Sequence, residues 1–450
     1  MKAEKKKATS SKSMVTAREA GYFGKKMMKN AHKAQQEGLP VAWSMVTWWQ
    51  GELIAKAMGI ELVFPENYAA FCAAMRLAEP YLERSDSEGF PSSLCGYARN
   101  CFGYVSMMVE NNMQPPPGAP AGGMPKPMLL IGSGAACDGR FKWFQALKRY
   151  LGVPQWTLEH PQTGVKEYFL PGHKKETIRF IKNHLKEFVS FLETLLDHKM
   201  DSVKLAETVD QAFKTLILAH EVDQLRRAVP SPMVAQDFWS IMIPHLFMPH
   251  DPEAYEFYKK VHAEVKYRVD NKIGAIPNEQ YRVMFAEIPP WHTLGFFDKL
   301  SEKYGIALVY ESSGYHAPHP ISDEELEGVT DPLELIARLT YQKFTDQQEM
   351  GRQYGLDIPG YTLSYLKAAS EYLADGVICH PLRSCRAATY ELLSIKNVLS
   401  EHLKIPSVSI EGDLVDLRVF NEEEALYKIE AFVDTMDHNR EERKTAGISW

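Results

Sequence analysis

Pro125–Arg140 reads PKPMLLIGSGAACDGR, and the fold turns on how this stretch is interpreted. Met128–Ile131 is an apolar run of the length of a buried strand, and the small residues Gly132, Ser133 and Gly134 after it let the backbone turn tightly. A helical pattern follows over Arg140–Tyr150, then a second strand over Gln155–Glu159. Strand, tight turn, helix and strand make the unit from which parallel sheets are built. Cys137 falls just past the carboxyl end of the first strand, where open α/β sheets place their ligands.

The same alternation extends in both directions. Upstream, Pro40–Val46 and Gly59–Phe64 read as strands, Gly51–Met58 and Asn67–Leu82 as helices, and Gln114–Pro127 as a Pro/Gly-rich loop. Residues 172–270 differ. They hold the amphipathic patterns Thr177–His198, Leu205–Ala228 and Pro252–Asp270 and no strand, which marks a helical insert. Beyond Ala275 the strands Tyr281–Glu287, Gly305–Glu311, Asp375–His380 and Ile405–Ile410 alternate with helices at Trp291–Lys303, Leu333–Tyr354, Tyr361–Leu373 and Cys385–Leu403, and Glu422–Asn439 closes the chain. The expected fold is α/β: two doubly wound parallel-sheet lobes of Rossmann or flavodoxin type. A polar, partly helical segment covers 1–38, the first lobe 39–171, the helical insert 172–274 and the second lobe 275–450. Cys137 follows the third strand of one half and Cys385 the third strand of the other.

Composition narrows the function. Among 450 residues, 51 Lys and Arg against 58 Asp and Glu give a net charge of −7, which argues against a large nucleic-acid footprint. The apolar Trp43–Phe64 region is broken by Glu52, Lys56 and Glu61, so no stretch reaches the ~18 uncharged residues of a membrane span. The basic run Lys2–Lys12 reads as a solvated tail, and a cytoplasmic location is expected. The six cysteines (72, 95, 101, 137, 379 and 385) then read as thiols, metal ligands or catalytic groups, not as disulfides.

No C-x2-C spacing of a zinc site occurs; Cys95 and Cys101, like Cys379 and Cys385, are separated by five residues. Buried cysteines are often plain small hydrophobes. Position favours more for three of them. Gly96 adjoins Cys95, small residues precede Cys137, and Cys385 lies at an expected helix start, where N–H groups and the helix dipole stabilise a thiolate. Three cysteines are one short of the four that usually hold a [4Fe–4S] cluster. If only three bind, one iron keeps an open position, as catalytic metal centres do. Arg99, Arg383 and Arg386 are placed to offset the cluster's charge, with an ordinary surface role as the alternative.

Other signals are weaker. Gly132-Ser133-Gly134 begins a dinucleotide fingerprint, but Cys137 replaces its third glycine, and no P-loop motif occurs. His316 and His319 are expected to face solvent or cap, with metal binding as the alternative, and Trp43, Trp48 and Trp49 to be core, with the wall of an apolar pocket as the alternative.

PSSLCGYARNCFG, GSGAACDGRFKWFQALKRYLGVP and DGVICHPLRSCRA together resemble the three cysteine regions of the 2-hydroxyacyl-CoA dehydratase / benzoyl-CoA reductase family, over roughly residues 38–435. The Pro277–Trp291 segment, PNEQYRVMFAEIPPW, is similar to benzoyl-CoA reductase subunits. The resemblance implies a [4Fe–4S] cluster on Cys95, Cys137 and Cys385 and pairing with a paralogous iron–sulfur subunit. It also implies a separate ATP-hydrolysing iron–sulfur activator fed by a ferredoxin-type donor, so that ATP is used on a partner chain and not bound here. The substrate is an acyl-CoA thioester. Adding an electron to it needs a donor near the low end of biological clusters, about −700 mV. The reading put first is an iron–sulfur subunit of ATP-dependent benzoyl-CoA reductase. A subunit of a 2-hydroxyacyl-CoA dehydratase is the alternative. A third is a redox relay whose cluster is closed by a fourth cysteine, Cys101 or Cys379. His380 is the proton-transfer candidate by its nearness in sequence to Cys385.

Overall fold

The computed structural model describes residues 11–448, so the basic run up to Ser10 lies outside the described residues. All eight expected strands form: β1 (Val41–Ser44), β2 (Glu61–Val63), β3 (Leu129–Ser133), β4 (Gln155–Leu158), β5 (Tyr281–Ala286), β6 (Ile306–Tyr310), β7 (Gly376–Cys379) and β8 (Ser407–Ser409). They make two wholly parallel sheets of identical order, β2-β1-β3-β4 and β6-β5-β7-β8. The central strands are buried along their whole length, which is why LLIGS and YRVMFA are nearly continuous apolar runs rather than alternating ones. In each sheet the chain leaves the first strand toward one edge and returns to the other side with the third. The carboxyl ends of β1 and β3, and of β5 and β7, therefore flank a crevice at each reversal.

Between β4 and β5 along the chain come four long helices, His173–Leu196, Ser202–Leu225, Ala235–Phe247 and Pro252–Asp270. Asp201 and Asp251 cap two of them, each carboxylate accepting from an N–H two residues on at 2.9 Å. Ala235–Phe247 has no expected counterpart. It is apolar on most sides and almost wholly buried, so it lacks the one-sided periodicity that marks a surface helix. The helices at Gly21–Gln36 and around β1 share one apolar core with this bundle, and a second, smaller core packs against β5, β6 and β7.

Two expected helices are each divided. Asn67–Leu82 is Pro65–Ala74 followed by Glu79–Ser87, because Arg76 takes a left-handed φ of 56° and Leu77 N–H closes back on Cys72 O at 2.8 Å. Leu333–Tyr354 is Pro332–Thr345 and Gln348–Tyr354. Among the described residues no helix is long and apolar enough to cross a membrane.

Candidate active site

Cys95, Cys137 and Cys385 occupy one structural position three times over: each is the residue immediately before a helix, Gly96–Glu110, Asp138–Leu151 and Arg386–Leu403. Two polar contacts tie these helix starts together. Gly96 N–H donates to Ser384 Oγ at 3.0 Å, joining the neighbours of Cys95 and Cys385. Arg386 donates to Asp138 at 2.8 Å, joining the neighbours of Cys137 and Cys385. All three sulfurs are half-buried and open onto the same cavity of about 1060 Å³.

Asp413 organises this junction. One carboxylate oxygen accepts from the Val415 and Asp416 N–H groups at 3.0 Å each, and the other from the Ser384 N–H and hydroxyl. Gly96 has no room for a side chain: a Cβ there would lie 2.7 Å from Asp413 Oδ1 and 3.2 Å from Val415 Cβ. Arg140, at the third position of the helix after Cys137, reaches into the same cavity and is held by Glu66, whose Oε1 lies 3.0 Å from its Nε.

The chemistry of the donor set follows from burial and spacing. Burial raises the pKa of all three thiols, to about 12 for Cys385. Burial raises Cys95 first, and the neighbouring Cys385 and Cys137 raise it further. Opposing this, the N–H groups of Ala98, Arg140 and Ala388, each three residues into its helix, favour the thiolates. Three mutually repelling thiolates at helix N-termini need a cationic group among them to ionise together, so the set fits a metal centre bound through sulfur. Among the described residues no three His, Cys, Asp or Glu side chains are arranged to hold one metal ion. A group with several irons, each taking a different sulfur, suits ligands arriving from three separate helices.

The remaining cysteines lie elsewhere. Cys72, Cys101 and Cys379 are fully buried in helices and in β7, and none lines the cavity. His380 is not on the cavity wall either. Its Nδ1 donates to Ile288 O at 2.7 Å, and burial lowers its pKa to about 4. The arginines divide: Arg386 is exposed, whereas Arg99, fully buried, is paired with Asp86 at 2.5 Å and Asp416 at 3.3 Å, so it is committed to the fold.

Aromatic side chains make much of the wall, among them Trp48, Phe71, Tyr97, Trp291, Tyr315 and Tyr361. Trp43 and Trp49 are core as expected, but Trp48 faces the cavity, with the Arg140 guanidinium 5.3 Å from its ring centroid. Lys12 also reaches this wall and is partly buried, unlike the solvated tail expected of the basic run.

One polar wall residue was not anticipated from the chain. Glu287 directly follows β5, is 4 % exposed and has a φ of 89°. The signal for it was a charged residue ending the apolar run VMFA, in FAEIPP.

Beside the cavity lies a buried ionic network. Arg226 donates to both oxygens of Glu311 at 2.7 and 2.8 Å, and His316, expected at the surface, is 3.0 Å from Asp223 and 3.1 Å from Glu311. Burial alone would lower the His316 pKa, but the two carboxylates outweigh it and raise the value. Glu311 follows β6, and the next residues, Ser312–Tyr315, line the cavity, so this network fixes part of its wall.

The 2-hydroxyglutaryl-CoA dehydratase, D-component family model matches residues 51–436. The chain is 26% identical over 413 residues to the (R)-2-hydroxyisocaproyl-CoA dehydratase alpha subunit of Clostridioides difficile, covering 91% of this chain and 93% of that one. It is 23% identical over 428 residues to the lactoyl-CoA dehydratase alpha subunit of Anaerotignum propionicum, with 93% and 96% covered. A benzoyl-CoA reductase subunit of Thauera aromatica is 24% identical over 407 residues, with 88% and 89% covered.

Proposed function

The chain belongs to the 2-hydroxyglutaryl-CoA dehydratase D-component family, and from that premise we propose that it is an alpha-type subunit of an enzyme dehydrating a 2-hydroxyacyl-CoA thioester. The order of the two sequence readings is thereby reversed. The family match and several dehydratase alpha subunits favour dehydration, and the similarity to a benzoyl-CoA reductase subunit keeps ring reduction as the second reading.

The observation that carries the proposal is the convergence of Cys95, Cys137 and Cys385, from three helix starts, on one cavity. These three residues would hold a [4Fe–4S] cluster. When bound, that group supplies low-potential electrons and an iron position without a protein ligand. The chain's own contribution is the setting. Helix-start N–H groups favour the thiolates, and aromatic walls keep water from the reacting oxygens. The cavity exceeds the usual volume for a drug-sized ligand, as a CoA thioester requires. A closed relay cluster has less support, since Cys101 and Cys379 both lie off the wall. A paralogous subunit and an ATP-hydrolysing activator complete the proposed assembly.

Two measurements test this. The purified complex, given reductant, ATP and activator, should turn over a 2-hydroxyacyl-CoA and not benzoyl-CoA; the opposite preference establishes the reductase reading instead. Iron content should fall in C95S, C137S and C385S and stay at the wild-type level in C101S and C379S. Iron retained in C385S but lost in C379S refutes the ligand set.

A further inference from the structure

Glu287 combines three features that seldom occur together. Its φ of 89° is a conformation that suits glycine and is strained for any side chain unless its surroundings hold it. Its side chain is buried, yet it lines the large cavity, and Oε1 has no hydrogen-bond partner among the described residues. Its backbone is pinned: the Glu287 N–H donates to Tyr365 Oη at 3.2 Å. Tyr365 Oη lies 3.1 Å from Tyr361 Oη, which lies 2.9 Å from Ser312 Oγ. A hydroxyl cluster thus holds a strained glutamate at the cavity wall with one buried carboxyl oxygen left without a partner. A residue with a purely structural role would spend both oxygens on the protein.

We propose that Glu287 is a substrate-binding residue whose free carboxyl edge makes a hydrogen bond to an oxygen of the acyl group, the thioester carbonyl or a hydroxyl beside it. This deepens the thioester reading and rests on it. The carboxyl is set up as a donor. Burial raises its pKa well above the ordinary value, the Tyr361 hydroxyl opposes this, and Glu391 on the same wall raises it again. An acid kept uncharged in an apolar site offers an O–H to an uncharged acyl oxygen, and it does so without the desolvation cost of a carboxylate.

The test is equilibrium binding to the full chain, co-purified with its natural subunits, without reductant or ATP. The probes are (R)-2-hydroxyisocaproyl-CoA, benzoyl-CoA and free CoA, and the variants are E287Q, E287A and E287G. Loss of a buried donor should weaken acyl-CoA binding by E287A about ten- to a hundredfold and leave free CoA unchanged. E287Q, whose amide still donates, should stay within about threefold of wild type. E287G should bind as weakly as E287A while its Tm equals or exceeds that of wild type, because glycine relaxes the left-handed backbone. Equal loss for both thioesters assigns the carbonyl as acceptor, and loss for the hydroxyacyl-CoA alone assigns the hydroxyl. Equal changes for acyl-CoA and free CoA, or none for either, overturn the inference while leaving the thioester reading intact. A wild-type chain that binds neither thioester overturns both.

Discussion

Replacing Arg226 by Met should cost the fold about 3–5 kcal/mol, because it removes one partner from a buried ion pair and strands the other. Arg226 and Glu311 are both completely buried, and the two hydrogen bonds between them are 2.7 and 2.8 Å long. The guanidinium also donates to Val309 O at 3.3 Å and stacks 4.3 Å from the Phe238 ring centroid. Met keeps most of the side chain's apolar volume, so the loss is electrostatic: Glu311 and Asp223 then share His316 alone. Urea unfolding followed by far-UV circular dichroism reads this directly. With an m of about 3 kcal/mol/M, the midpoint should fall by roughly 1–1.7 M at unchanged slope. Adding E311L should restore part of the loss, since a buried pair replaced whole by apolar groups is often neutral. A shift below about 0.3 M for R226M, or an R226M/E311L double variant as unstable as the two single losses added together, would refute the account of this network.

The same network sets a pH window. The carboxylates of Asp223 and Glu311 lie below their ordinary values, since burial is outweighed there by His316 and Arg226, so their contribution is present above about pH 4 and lost as the pH falls through their folded values. His316 is raised above about 6.5, so its contribution is complete below that pH and lost as the pH rises through the folded value. H316Q should therefore be less stable than wild type at neutral pH and lack the alkaline decline, and a decline of equal size in both proteins in thermal melts contradicts this. At the cysteine junction, G96A must displace Asp413, which already holds four partners, so a destabilisation of about 1–3 kcal/mol is expected. An unchanged melting temperature for G96A shows that the junction is looser than these contacts imply.

Strand positions and the parallel pairing of both sheets were legible along the chain because each is a local matter. A strand covered on both faces must be an unbroken apolar run, and a crossover helix needs a one-sided pattern. The divided helix at Arg76 and the unforeseen Ala235–Phe247 helix show the limit, as a left-handed turn and an all-round apolar surface leave no periodic trace. Cys385 stood out by its helix start and Cys95 and Cys137 by their small neighbours; that all three precede helices, Gly96–Glu110 among them, emerged only in the fold.

Which side chains share the cavity with those sulfurs was decided only by the fold. His380 lies five residues from Cys385 yet hydrogen-bonds to the Ile288 carbonyl, because it still sits beside β5, its N–H donating to Ala286 O, whereas Cys385 lies at the start of the next helix. Glu287, about a hundred residues from Cys385 along the chain, lines the same cavity because β5 and β7 are neighbours in the sheet. His316 looked like a surface loop residue and is buried, since Asp223, on a helix far away in sequence, meets it together with Glu311 just past β6. The chain's local patterns fix which residues form strands, helices and helix starts; the long-range closure of two sheets around one cavity, a balance of burial against charge, selects the residues that meet there.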